Sequence, residues 1–239
     1  MLLRKTALVT GGAKRVGREL ALALADAGLN VAITYRASAD AAAHTVSEIE
    51  ALGVASAAFE LDVRSEASAR AAIAAVAGRF GGLDVLVNNA AVFESADLAE
   101  MTLAQWDAVF ETNARGPFLM AREALPYLKA AQGRIVNLGS LGGSHAWAGH
   151  GHYCASKAAL HMLTQVMAKA FAPEVSVNCV APGWIEFDGA GAEAARFAAK
   201  TPMGRNGAAT DVAGAVVFFA TGPHFVTGQI LGVDGGLGL

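Results

Sequence analysis

Short apolar runs alternate along the chain with Ala-rich stretches that read as helices. The first run, Thr6-Ala7-Leu8-Val9, ends at the pair Gly11-Gly12. Arg15 to Ala27 then predicts a helix closed by Gly28, a residue suited to a left-handed cap. Leu29 to Tyr35 predicts a second strand, and Ala39 to Leu52 a helix closed by Gly53. Ala57 to Leu61 is strand-like, Glu66 to Phe80 helical, and Val85 to Val87 a short buried strand. Ile135 to Leu138, Val175 to Val180 and Ile230 to Val233 continue the series.

A strand with no polar alternation must be buried on both faces, and helices between such strands supply the cover. The pattern therefore predicts an α/β fold: a doubly wound, Rossmann-type parallel sheet with helices on both faces. No linker, repeat or low-complexity block interrupts it, so residues 1–239 read as one domain, with a substrate loop at about 184–204. Ligands in such sheets sit beyond the carboxyl ends of the strands, near the point where strand order reverses. The chemistry is expected there.

Composition narrows the function classes. Apolar residues make up 54% of the chain and charged residues 16%, which excludes a disordered protein. A net charge of -3 offers no basic face for nucleic acid. The longest charge-free stretches do not read as membrane spans. Ile135 to Ser156 carries five glycines and three histidines, and Val212 to Val233 is broken at Gly222-Pro223. Two cysteines, Cys154 and Cys179, form no disulfide framework and suit a reducing compartment. The strand that begins at Thr6 leaves no room for a signal peptide, so a cytoplasmic location is expected.

Thr10-Gly11-Gly12-Ala13-Lys14-Arg15-Val16-Gly17 lies between the first strand and the first helix. Backbone N–H groups at a helix start bind anions, and glycine lets a pyrophosphate come close. A site selective for NAD places an acid about 20 residues further on, against the ribose 2′-hydroxyl. Here the second strand ends Thr34-Tyr35-Arg36-Ala37-Ser38, without an acid. Arg36 and Ser38, with Arg15, suit a 2′-phosphate instead, because the planar arginine fork matches phosphate oxygens. The expected cofactor is NADPH/NADP+.

These features, with others in order along the chain, resemble the short-chain dehydrogenase/reductase family. The glycine loop is similar to its Thr-Gly-x-x-x-Gly-x-Gly motif, with Arg15 where the second glycine usually stands. Asp62-Val63 resembles the pair that contacts adenine, and Asn88-Asn89-Ala90-Ala91 the Asn-Asn-Ala-Gly segment beside the cofactor. Asn113 falls where the family keeps a catalytic asparagine. Ser140 precedes Tyr153 by thirteen residues, and Tyr153-Cys154-Ala155-Ser156-Lys157 is the Tyr-x-x-x-Lys signature. Asn178 to Ile185 resembles the segment against the nicotinamide, with Pro182, Gly183 and Ile185 as contacts. Phe187 stands where a pyrophosphate-touching threonine is common. Arg15 and the run Ala172-Pro173-Glu174-Val175 resemble pteridine reductases, which tend to carry aspartate at the Ser140 position.

The resemblance implies reduction of a small carbonyl substrate, with Tyr153 as proton donor. A tyrosine phenol titrates near 10, and a nearby cation lowers that value. Lys157, one helical turn on, is placed for this, and in the family it also bonds the nicotinamide ribose. Ser140 polarises the carbonyl, and Asn113 helps hold a water that links Lys157 to solvent. Lys14, Val16, Gly17 and Tyr35 complete the expected cofactor contacts. Phe93, Leu141, Trp147, Trp184 and Phe187 are expected to line the substrate pocket with Ser140. His145, His150 and His152 have no acidic or thiol neighbour within their loop, so no metal is expected.

Two other readings stay open: a pteridine reductase, and a non-catalytic nucleotide sensor on the same fold. A homotetramer is expected from the resemblance and from the Ala-rich helices after Asn113 and Tyr153. Glu186 to Thr201 predicts a short mobile stretch at 188–191, followed by a small helix that closes over substrate.

Overall fold

The computed structural model describes residues 4–187 and 191–239. Its apolar runs form seven strands: β1 (Thr6–Val9), β2 (Asn30–Tyr35), β3 (Ser56–Glu60), β4 (Val85–Asn88), β5 (Arg134–Leu138), β6 (Ser176–Pro182) and β7 (Ile230–Val233). Every pairing is parallel, in the spatial order β3-β2-β1-β4-β5-β6-β7. The helices between them are α1 (Arg15–Asp26), α2 (Ala39–Ala51), α3 (Glu66–Phe80), α4 (Leu103–Phe110), α5 (Gly116–Ala130), α6 (Gly151–Ala170), α7 (Gly191–Lys200) and α8 (Ala209–Thr221). Helices thus cover both faces of a Rossmann-type sheet, as the apolar runs predict.

Successive strand residues point to opposite faces, so each apolar run feeds two cores. Val9, Ile33, Val87 and Val136 enter one, with Leu20 and Leu24 of α1, Ile49 of α2, and Val216 and Phe219 of α8. Leu8, Leu86, Ile135 and Val177 enter the other, with Ile73 and Val76 of α3, Met120 and Leu128 of α5, and Met167 of α6. Burying each such side chain contributes about 1.5–3 kcal/mol. Gly28 and Gly53 end their helices at φ +88 and +81, the left-handed geometry expected of them.

Strand order reverses between β1 and β4, and the cleft described below opens there. The expected helix after the nicotinamide-facing segment is present as α7. The stretch at 188–190 lies outside the described residues, while Gly191 takes φ +51. No helix among the described residues is long and apolar enough to cross a membrane.

Candidate active site

The loop after β1 is tied down before any ligand arrives. The Thr10 hydroxyl accepts hydrogen bonds from Asn89 N (2.9 Å) and Ala90 N (3.0 Å) across the β1–β4 boundary. The Asn89 amide donates back to the carbonyls of Thr10 (2.9 Å) and Gly11 (3.2 Å). Gly17 is obligatory for space: a Cβ there would collide with the Gly11 carbonyl and lie 2.6 Å from Asn89 Nδ2. Gly11 takes φ +65. Arg15 takes φ +51, left-handed backbone at a position where the family usually has glycine, a cost of about 1–2 kcal/mol.

A cleft of about 480 Å³ lies over this loop. Gly11, Lys14, Arg15, Val16, Gly17, Tyr35, Arg36, Asp62, Val63, Asn89, Ala90 and Ala91 all line it, as the sequence predicts of cofactor contacts. Thr34, Leu61, Val92 and Thr112 line it as well. Ser38 does not; it stands at the N-terminus of α2. Lys14, Arg15 and Arg36 are exposed, and none has a carboxylate within salt-bridge distance among the described residues. The Arg15 guanidinium lies 5.6 Å over the Phe187 ring, which closes one end of the cleft. Asp62 is engaged: Arg64 grips its carboxylate from Nε (2.9 Å) and Nη2 (2.6 Å) and holds its pKa down to about 2.

The expected catalytic side chains do not line this cleft; they form a second wall beside it, joined through Phe93, which lines the cleft and meets Tyr153. Ser140 follows β5, is buried, and its oxygen accepts from Gly142 N at 3.1 Å. Tyr153 and Lys157 share one face of α6, and Lys157 Nζ lies 5.8 Å from the Tyr153 ring centroid. Nζ donates to the Leu138 carbonyl at 2.7 Å. Burial pushes the Lys157 ammonium down to about 8. Burial also raises the Tyr153 phenol, and the neighbouring Ser140 side chain only partly offsets it. This corrects the expectation that Lys157 draws the phenol down. Desolvation dominates, and the ammonium is directed at Leu138 and is itself destabilised.

Asn113 lies within a π-helical turn, Glu111–Arg115, between α4 and α5. Its Oδ1 accepts from Val92 N (2.8 Å), and its Nδ2 donates to Val92 O (2.9 Å) and Ser156 Oγ (3.1 Å). The side chain thus clamps the segment after β4 to α6, and its polar atoms are occupied by protein partners.

Aromatic rings gather beside Tyr153. Phe93, 57% exposed, stacks on His150 at 4.6 Å and meets Tyr153 edge-on at 4.8 Å. Trp147 lies parallel to the phenol ring at 6.2 Å and rests against Gly142. Leu141 is buried beneath them. Trp184 instead stacks on Phe197 of α7 at 4.2 Å. Pro182 ends β6, Gly183 follows it, and Ile185 pairs with Gly207 and packs on the core; none of the three lines the cleft. Among the described residues no three His, Cys, Asp or Glu side chains are grouped to hold a metal.

Sequence reasoning missed the polar row behind this wall. Asn88 Nδ2 donates to Asn137 (2.8 Å), whose own amide donates to Thr164 (2.9 Å) on α6. His161, one turn past Lys157, is buried beneath the Ser140 loop. The signal was present: Lys157, His161 and Thr164 fall on one helical face.

Residues 11–238 match a family model described as enoyl-(acyl carrier protein) reductase. The chain is 38% identical to the 3-oxoacyl-(acyl-carrier-protein) reductase FabG of Staphylococcus aureus, over 99% of both chains. A dehydrogenase/reductase from Sinorhizobium meliloti superimposes with a TM-score of 0.94 at 38% identity, covering 100% of this chain and 96% of that one. A blue fluorescent protein from a metagenomic library, solved in complex with NADPH, does so at 0.92 and 34%, over 100% of both. The chain is an oxidoreductase of the short-chain dehydrogenase/reductase family.

Proposed function

We propose that the chain is an NADPH-dependent carbonyl reductase, converting a ketone or aldehyde to an alcohol. The observation that carries this reading is the half-buried Tyr153, whose phenol is desolvated and near the buried Ser140, beside the cleft over the glycine loop. Burial keeps that phenol protonated at neutral pH, which suits a proton donor. Ser140 accepts from Gly142 N, and its own hydrogen can turn from the Tyr153 oxygen to a substrate carbonyl oxygen and polarise the carbon. A bound reduced nicotinamide supplies the hydride. As the carbon–oxygen π bond breaks, the oxygen takes the Tyr153 proton and leaves a phenolate. Lys157 spends one donor on Leu138 and keeps two for that phenolate and the cofactor ribose.

The cleft fits the cofactor. Gly17 lets its loop close on the Gly11 carbonyl and the Asn89 amide, which a side chain there would push apart. Arg15, Arg36 and Lys14 present cations with no acid after β2 to oppose a 2′-phosphate. The NADPH complex of the metagenomic relative supports the same choice. The Staphylococcus aureus relative points to 3-oxoacyl thioesters among the carbonyls to test.

A second reading, reduction of a pteridine C=N bond, is favoured by Arg15 at the cleft and by the exposed flat ring of Phe93. Loss of NADPH absorbance should be followed with simple ketones, aldehydes, 3-oxoacyl thioesters and dihydropteridines. Turnover of a carbonyl, faster with NADPH than NADH, is expected. Turnover of dihydropteridines alone would replace the first reading with the second. Tight NADPH binding with no turnover of any of them would leave a nucleotide sensor.

A further inference from the structure

We propose that His161 is a positioning residue that holds the Ser140 loop in its donating geometry, an inference that rests on the reading of Ser140 as the donor to the substrate carbonyl. The loop Gly139-Ser140-Leu141-Gly142-Gly143 wraps around the imidazole. A Cβ at Gly139 would collide with His161 Nε2 and come within 2.6 Å of Cys179 Sγ. A Cβ at Gly143 would collide with His161 Cε1 and lie 2.7 Å from Nδ1. Glycine on either side of Ser140 is therefore the complement of this ring's shape.

The ring also has a polar role. His161 Nε2 faces Ser140 N at 3.5 Å, a long contact in which the backbone N–H donates. Ser140 is buried, and no other acceptor meets that N–H among the described residues. An aliphatic side chain of similar size would leave it without a partner. An Nε2 that accepts must carry its ring proton on Nδ1, so the imidazole is neutral. Burial and the neighbouring Lys157 both favour that neutral form. Cys179, behind Gly139, is a buried thiol held neutral by a pKa pushed up to about 11. The loop is thus pinned by two more backbone bonds, Gly139 N to Val180 O (2.8 Å) and Gly143 N to Ser140 O (2.9 Å), around one uncharged ring. Lys157 and His161 lie one turn apart on α6, so one helix face sets both the lysine and the serine that the reaction uses.

The test compares His161→Leu, which keeps bulk without an acceptor, with His161→Gln, which returns an acceptor oxygen. His161→Leu should lower kcat about ten- to hundredfold on the best carbonyl substrate, with NADPH Kd by fluorescence titration within about twofold. His161→Gln should keep kcat within about threefold. Gly143→Ala should reproduce the His161→Leu loss, and the double variant should be no worse than either. An unchanged kcat in His161→Leu, or equal losses in the Leu and Gln variants, would overturn the proposal.

Ring-15N NMR of the wild-type protein supplies a readout that needs neither substrate nor variant. A neutral Nδ1–H tautomer at pH 7.5, coupled through Nε2 to the Ser140 amide, is expected; an Nε2–H tautomer or an imidazolium overturns the proposal. If the wild-type enzyme reduces no carbonyl while this coupling is present, the functional reading fails and the structural placement of His161 stands.

Discussion

The glycine-loop wall of the cleft and the catalytic wall beside it keep their cations in opposite states. On the glycine-loop wall, Lys14, Arg15 and Arg36 are exposed and lack carboxylate partners among the described residues. On the catalytic wall, Lys157 is buried, bonded to Leu138 and held near pKa 8, with Asn113 and Ser140 tied to backbone. An exposed cation recognises charge that arrives from solvent, and salt screens it. A buried, bonded group is placed in advance, and its burial sets its proton affinity. On the function proposed above, one wall selects and the other reacts, and variants should separate the two.

The largest effect belongs to the catalytic wall. Tyr153→Phe keeps the ring that packs against Phe93 and Trp147 and removes only the hydroxyl. It should lower kcat about 10²- to 10⁴-fold, the usual range for a lost general acid. NADPH Kd should stay within about threefold. A variant with near wild-type turnover would remove Tyr153 from the reaction.

The next effect belongs to the other wall. Arg36→Ala should raise the Kd for NADPH about tenfold and leave that for NADH nearly unchanged, since a charge-assisted hydrogen bond contributes about 1.5–3 kcal/mol before solvent screening. The gap should narrow as salt rises. Equal weakening of both cofactors in a fluorescence titration would place the 2′-phosphate elsewhere.

The same division explains what was legible in the sequence. Continuous apolar strands such as Thr6–Val9 and Ile230–Val233 declare themselves, because burial on both faces leaves no polar position. Of the cofactor contacts expected, those of the glycine loop, the end of β2, Asp62-Val63 and the end of β4 line the cleft, because backbone and glycine keep fixed spacing, whereas Ser38, Tyr153, Lys157, Pro182, Gly183 and Ile185 do not line it. For the catalytic wall the sequence names the candidate side chains but not their state. Tyr153, Lys157 and Ser140 are announced by their spacing, whereas the upward push on the Tyr153 phenol comes from burial, which spacing does not encode.

The occupied amide of Asn113 depends on a π-helical turn that no local pattern marks. Trp184 turns to Phe197 because a helix ten residues long, α7, offers it a ring. His161 went unnoticed because its partners, Gly139, Ser140 and Gly143, lie some twenty residues upstream and meet it only in the folded protein.

The smallest effect sharpens the comparison through pH. Burial lowers the pKa of both His150 and His161 from the reference of 6.5; His150 is also opposed by His152, and His161 by Lys157. The unfolded chain therefore binds more protons than the folded one below pH 6.5, down to the folded values. In that window stability falls as pH falls, by at most about 1.4 kcal/mol per histidine per pH unit. The carboxylates of Asp62 and Asp211, held at about 2, do not enter until the pH nears their reference of 3.8. Urea unfolding between pH 7.5 and 5.5 should therefore show a steeper loss of stability in the wild-type protein than in His161→Leu. Arg36→Ala should keep the wild-type slope. Parallel slopes in wild type and His161→Leu would mean that His161 gains its proton in the folded protein as readily as in the unfolded chain, and the catalytic wall would lose its claim to setting charge by burial at that position.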